Sequence, residues 1–164
     1  MAKILKPPHY EEVDHPLIFL GGPIQGAPDW QAVAIDLFRN IPDIVVASPR
    51  REGELPKYLY DEQVNWEHHY LDEAAKRGIT LFWLAKEIHH ICDRAYAQTT
   101  RFELGEAVSR HRLEGIKIVV GIEEGFSNQR YLVKTISKKA SDIPLCATLE
   151  HTCSRALELL QLAR

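Results

Sequence analysis

The sequence predicts an α/β fold, a doubly wound five-stranded parallel sheet with helices on both faces. Three observations lead there. Short apolar runs alternate with segments of helical periodicity along the 164-residue chain, the pattern of parallel strands joined by covering helices. One run, "ITLFWLA" (79–85), is apolar at every position but Thr80, as a strand buried on both faces must be. Another, "PLIFLGG" (16–22), ends in paired glycines, where a strand gives way to a turn.

In order, residues 1–15 read as an irregular arm and 16–22 as the first strand. "DWQAVAIDLFRN" (29–40) is a helix, with Trp30, Val33, Ala34, Leu37 and Phe38 at helical spacing and Asp29 as N-cap after Pro28. "DIVVAS" (43–48) is the second strand, and "PRREGELPKYLY" (49–60) is a polar loop. Residues 61–78 form a helix closed by Gly78 as its C′ residue. Strand 79–85 is central. After a long connection (86–99) an amphipathic helix runs from Thr100 to about Leu113. "IKIVVGI" (116–122) is a strand, 127–140 a helix, and "IPLCA" (143–147) a weak fifth strand. The terminal helix (149–163) lines up Leu149, Cys153, Ala156, Leu157 and Leu160. Five strands and five helices fit a flavodoxin-like doubly wound fold over one domain, 1–164. Ligands of such folds bind at the carboxyl ends of the strands, near the switch in strand order.

Composition narrows the function. The chain is 45% hydrophobic and 26% charged, ordinary for a globular protein. A net charge of −3 argues against a nucleic-acid binder, which carries a basic stripe. No apolar run approaches a membrane span. "MAKILKPPHYEEVDHP" lacks a signal-peptide core, so the expected location is the cytoplasm. Cys92, Cys146 and Cys153 show no C-x-x-C spacing and read as free thiols in a reducing compartment.

The switch-point rule selects three loops: "GGPIQGAPDW" (21–30), "SPRREG" (48–53) and the segment leading into "TTRFELGEA" (99–107). In the first, Gly21 and Gly22 let a ligand approach the backbone and Gly26 permits a tight turn. Neither G-x-G-x-x-G nor Gly-Lys-Ser/Thr is present. Arg50 and Arg51 could meet a phosphate or form a solvated turn. The histidine pairs 68–69 and 89–90 match no zinc spacing, so no metal and no cofactor is expected.

Glu103 carries two readings. Thr100-x-x-Glu103 before an apolar run is a capping-box pattern. Alternatively Glu103 is a nucleophile, at a positive helix start that favours an ionised carboxylate, with Gly105 sparing room beside it at a cost of about 1 kcal/mol in helix propensity. Glu67 on the preceding helix could face the same crevice, and two carboxylates flanking a sugar carbon can perform glycosyl transfer. Taken alone, Glu67 and Glu106 also read as solvated.

"IFLGGPIQGAPDW", "NWEHHYLDEAA", "ITLFWLA" and "TTRFELGEA" together resemble the nucleoside 2-deoxyribosyltransferase family, over roughly residues 17–135. The resemblance implies transfer of 2-deoxyribose between nucleobases through a covalent deoxyribosyl-enzyme. It makes Glu103, of the E-L-G helix start, the nucleophile, and Glu67 the upstream acid, where the family usually has aspartate. It implies substrate contacts from Phe19, Gly21, Gly22, Pro23, Ile24, Asp29 and Trp30. Phe19 replaces the tyrosine many members carry, and Ala97 stands where some have a further aspartate, with Asp93 nearby. Asn128 is the candidate for a residue lent by a neighbouring subunit, which implies a homo-oligomer. The expected partners are deoxyribonucleosides and free nucleobases. The connection 86–99 is a candidate lid, and Tyr96 and Trp83 are candidates for stacking on a base. Three readings compete: a nucleoside or deoxynucleotide N-hydrolase using the same glutamate, a non-catalytic nucleotide-sensing module, and an interaction domain with Glu103 as a helix cap.

Overall fold

A parallel six-stranded sheet forms the middle of the computed structural model, which describes residues 1–53, 56–91 and 93–161. The elements are β1 (Lys3–Leu5), β2 (Leu17–Gly21), α1 (Trp30–Phe38), β3 (Val45–Ala47), α2 (Tyr60–Arg77), β4 (Gly78–Leu84), α3 (Gln98–Glu114), β5 (Ile118–Ile122), α4 (Gln129–Lys139), β6 (Leu145–Cys146) and α5 (Leu149–Gln161). The strands lie in the order β1-β3-β2-β4-β5-β6. Without β1 this is the flavodoxin-like order, so the expected fold class holds with one strand more.

The extra strand corrects the reading of residues 1–15 as irregular. Lys3–Leu5 pair in parallel with Val45–Ala47 at the sheet edge. A strand this short has no alternation to read, and only its partner defines it. The rest of the arm lies along α2. Trp66 Nε1 donates to the His9 carbonyl at 2.9 Å, the Glu11 N–H to Tyr70 Oη at 2.9 Å, and Arg77 Nη1 to the Val13 carbonyl at 2.8 Å.

Alternating strand residues divide the core. Ile18, Leu20, Val46, Leu81 and Trp83 pack under α1 and α5. Phe82, Leu84, Val120 and Ile122 pack under α3 and α4, while Leu17, Phe19 and Val45 pack under α2. Cys146 and Cys153 are buried and unpaired, and burial pushes both thiols up, Cys153 to about 12. Buried thiols of this kind are inert. Cys92, Leu162 and Ala163 lie outside the described residues.

Three element readings are corrected. Asp29 does cap α1, accepting from the Ala32 N–H at 3.1 Å, but Val33 and Leu37 are exposed while Gln31 and Ile35 are buried. The helix rotates to lay Trp30 and Phe38 on the sheet. Helix α3 is not amphipathic along one stripe, because Phe102 (75% exposed) and Leu113 (85%) face outward. Gly78 is not a left-handed cap. It is extended (φ −159°) and already pairs with Leu17 as the first residue of β4. A Cβ there would lie 1.8 Å from the Leu17 carbonyl oxygen. Backbone cannot move aside as a rotamer can, so Gly78→Ala should cost about 3 kcal/mol and lower Tm by roughly 6–12 °C in thermal denaturation.

Candidate active site

Strands β2 and β4 are neighbours whose chains leave in opposite directions, to α1 on one face and α3 on the other, so the switch point lies between their carboxyl ends. Glu103 lies in the second turn of α3, the helix that follows β4. The helix begins at Gln98 behind Ala97, whose left-handed backbone (φ 56°) opens it without any side-chain cap. The Arg101 N–H donates to the Ala97 carbonyl at 2.9 Å, inside the first turn. Thr100 is therefore within the helix and buried, and the capping-box reading of Glu103 is overturned. Local sequence suggested that box, whereas the turn at Ala97 starts the helix earlier. Gly105 also lacks the expected close neighbour, since a Cβ there would meet nothing in this chain.

A position one turn inward also weakens the helix-dipole argument, which holds only near the terminus. Glu103 is not held as a carboxylate at neutral pH. Burial, followed by the charges of Glu67 and Glu106, pushes it up to about 8. Glu67, on α2, is half-buried and raised chiefly by burial, against a lowering effect of the Gln63 hydrogen bond and the charges of His68 and Arg51. Glu67 stands near enough to Glu103 for its charge to add to the raising of that carboxyl, and both groups are held above the ordinary carboxyl range, chiefly by burial. Glu106 is exposed, as expected.

The first loop is held by an arginine. Arg50 donates through Nε to Gln31 Oε1 at 3.0 Å and through Nη2 to the carbonyls of Pro28 (3.1 Å) and Ile24 (3.3 Å), and it pairs with Asp29 at 3.2 Å. Arg51 donates through Nε to Gln63 Oε1 at 2.5 Å and through Nη2 to Glu62 at 2.8 Å. Neither arginine is a solvated turn, and both are engaged with the chain's own acceptors. Gln63 and Arg50 carry roles that sequence reasoning missed. The one available signal was that Gln63 precedes Glu67 by four residues and so shares its helix face.

The other site candidates divide by access. Phe19 is 1% exposed beneath Trp66, so it offers no surface to a ligand. Gly21, Pro23 and Trp30 are buried, and Trp30 Nε1 donates to the Pro23 carbonyl at 2.9 Å. Glycine at 21 and 22 is explained by packing. A Cβ on Gly21 would touch the Phe82 ring at 3.0 Å, and one on Gly22 would sit 2.3 Å from the Trp83 carbonyl. Gly26 takes a left-handed turn (φ 78°), and its carbonyl accepts from the Ile88 and His89 N–H groups at 2.8 and 3.2 Å. Ile24 and Gly22 are half-buried, while Asp29 and Asn128 are exposed. Asn128 opens α4 in a left-handed conformation (φ 63°), beside Ser127, which accepts from Arg101.

The connection expected as a lid is tied down where it is described. Besides the Gly26 bonds, Tyr96 donates its hydroxyl to the Ala85 carbonyl at 2.7 Å and packs against Phe126. Trp83 is buried over Gly121. Trp83 is thus closed to a ligand, while Tyr96 is half-buried. His68, His69, His89 and His90 are exposed, and among the described residues no three metal-ligating side chains converge. A scan against protein-family models gives no match, and neither does a search of curated proteins.

Proposed function

We propose that this protein is a nucleoside 2-deoxyribosyltransferase, exchanging the nucleobase of 2′-deoxyribonucleosides through a deoxyribosyl-Glu103 ester. The observation that carries this reading is that Glu103 is raised to about 8 by burial and by the nearby charge of Glu67. The resemblance in sequence supports it.

In the first half-reaction a Glu103 oxygen attacks C1′ as the C1′–N bond breaks. The bond pair goes to the base, and a proton passes to a base nitrogen. The carboxyl pair supplies that proton. At neutral pH Glu103 holds it, so it moves to Glu67 before Glu103 can attack. In the second half-reaction a nitrogen of the incoming base attacks C1′, the ester bond breaks, and the base's proton returns to the pair.

Engagement of both Arg50 and Arg51 with acceptors of the chain favours nucleosides over 5′-nucleotides, whose phosphate needs free donors. A homo-oligomer with shared sites belongs to this reading, and exposed Phe102, Leu113 and Tyr131 on α3 and α4 provide an apolar surface for it. Light scattering should therefore return a multiple of the chain mass. Cytoplasmic location also belongs to the reading. Among the described residues no helix is long and apolar enough to cross a membrane.

The test is base exchange, with deoxyadenosine and excess cytosine followed by chromatography. Deoxycytidine should accumulate as deoxyadenosine falls. Adenine released without deoxycytidine, with every acceptor base tried, would make the protein a hydrolase. No turnover with any donor would remove the enzymatic reading altogether.

A further inference from the structure

We infer that Gln63 is a positioning residue for Glu67, its amide locked in one orientation so that it always presents an N–H to that carboxyl. The inference rests on the proposed site for its catalytic meaning, though not for its geometry.

Gln63 is a buried polar side chain, 7% exposed on the inner face of α2. Its Oε1 accepts from Arg51 Nε at 2.5 Å. Its Nε2 donates to the Pro49 carbonyl at 2.9 Å and to Glu67 Oε1 at 2.6 Å. The orientation follows from chemistry. Arginine has only donors, so the amide oxygen must face Arg51. The amide nitrogen then faces two acceptors and spends both hydrogens on them. Rotating the amide by half a turn would set N–H against N–H on one side and oxygen against two oxygens on the other. Arg51 is in turn held by Glu62 at 2.8 Å, with its side chain only 15% exposed.

The bonds to Arg51 and Pro49 join the loop after β3 to α2, which is a structural task. The bond to Glu67 is a separate one. It occupies one carboxyl oxygen with a donor that cannot turn away, leaving the other oxygen to carry or accept the proton. A hydrogen bond to the charged form favours that form. Gln63 therefore favours the Glu67 carboxylate until a proton arrives from Glu103, the acid facing it from α3. Arg51, from the loop, and His68, on its own helix, act in the same direction.

Two variants test this. Gln63→Met keeps the length and removes every polar bond, while Gln63→Glu keeps the Arg51 bond and replaces the donor to Glu67 with an acceptor. The first readout is a carbon-13 NMR titration of glutamate side-chain carboxyls, with Glu67 assigned from the Glu67→Gln spectrum. The Glu67 titration should move to higher pH in both variants, and further in Gln63→Glu. The second readout is exchange turnover. Gln63→Met should lower kcat about ten- to a hundredfold, the range for a hydrogen bond to a charged group, and cost nothing more when added to Glu67→Gln. A Glu67 titration unmoved in both folded variants overturns the inference. An equal loss of kcat with and without Glu67 overturns it as well, because a purely structural role acts in either background. If the wild type turns over no nucleoside, the enzymatic reading fails, and the NMR shift still decides the Gln63–Glu67 link.

Discussion

The Glu103→Gln protein should form deoxycytidine from deoxyadenosine and cytosine at least about a thousandfold more slowly than wild type, the scale of losing a nucleophile. It should also be the more stable protein at alkaline pH. Glutamine has nearly the same shape but cannot ionise, whereas Glu103 must become a buried anion as pH rises. The sign follows from linkage. Glu103 titrates near 8 when folded against an ordinary 4.5, so between those values the folded chain holds a proton that the unfolded chain has released. Stability from this group is complete below about 4.5 and is lost as pH climbs to 8. Melting curves of the two proteins should nearly coincide at pH 5. They should separate by roughly 5 °C at pH 9, with the variant higher. A structural glutamate would show no loss of exchange, and a solvated one would show no pH-dependent gap in Tm.

Glu67→Gln should lose about a hundredfold or more in exchange from deoxyadenosine, the usual worth of a general acid. It should keep most of its rate with a donor whose purine is methylated at N7. That base leaves already positively charged and needs no proton, so an acid becomes dispensable while the nucleophile does not. The same variant moves the pH profile. With deoxyadenosine, wild-type kcat/KM falls as pH rises through about 8, because the pair loses the proton the base needs, whereas with the N7-methylated donor it rises over the same range as Glu103 ionises. Removing the Glu67 charge should shift that rising limb to lower pH, leaving burial and Glu106 to hold Glu103 above the ordinary carboxyl range. Equal losses with both donors would show that Glu67 supports the site without donating a proton.

Some of this was open to inspection in the residues. The strands from Leu17 to Cys146 and the five helices were found because apolar period reports burial, and every one of those strands is buried on both faces or paired along its length. Lys3–Leu5 was not found, since three residues carry no period and β3 alone makes them a strand. Helical spacing allows several stripes on α1, and the sheet selects the one that leaves Val33 and Leu37 outside. Thr100 and Glu103 matched a capping pattern by spacing, yet the left-handed turn at Ala97 moved the helix start upstream. No residue type announces such a turn at an alanine.

By itself the sequence determined the α/β class and the strands of the switch point, and it singled out Glu67 and Glu103 as candidates. Those depend on local pattern and on a general rule of parallel sheets. The protonation of that pair was decided only by the tertiary structure. It depends on how deeply Glu103 is buried, on Glu67 approaching from a different helix, and on the Arg51–Gln63 chain that steadies Glu67. The paired glycines show the same division. Their position at a strand end was visible, but what requires them is the Phe82 ring and the Trp83 carbonyl on the neighbouring strand. Contacts between residues distant in the chain have no signature in either neighbourhood, so their chemistry becomes legible only when the sheet has brought them together.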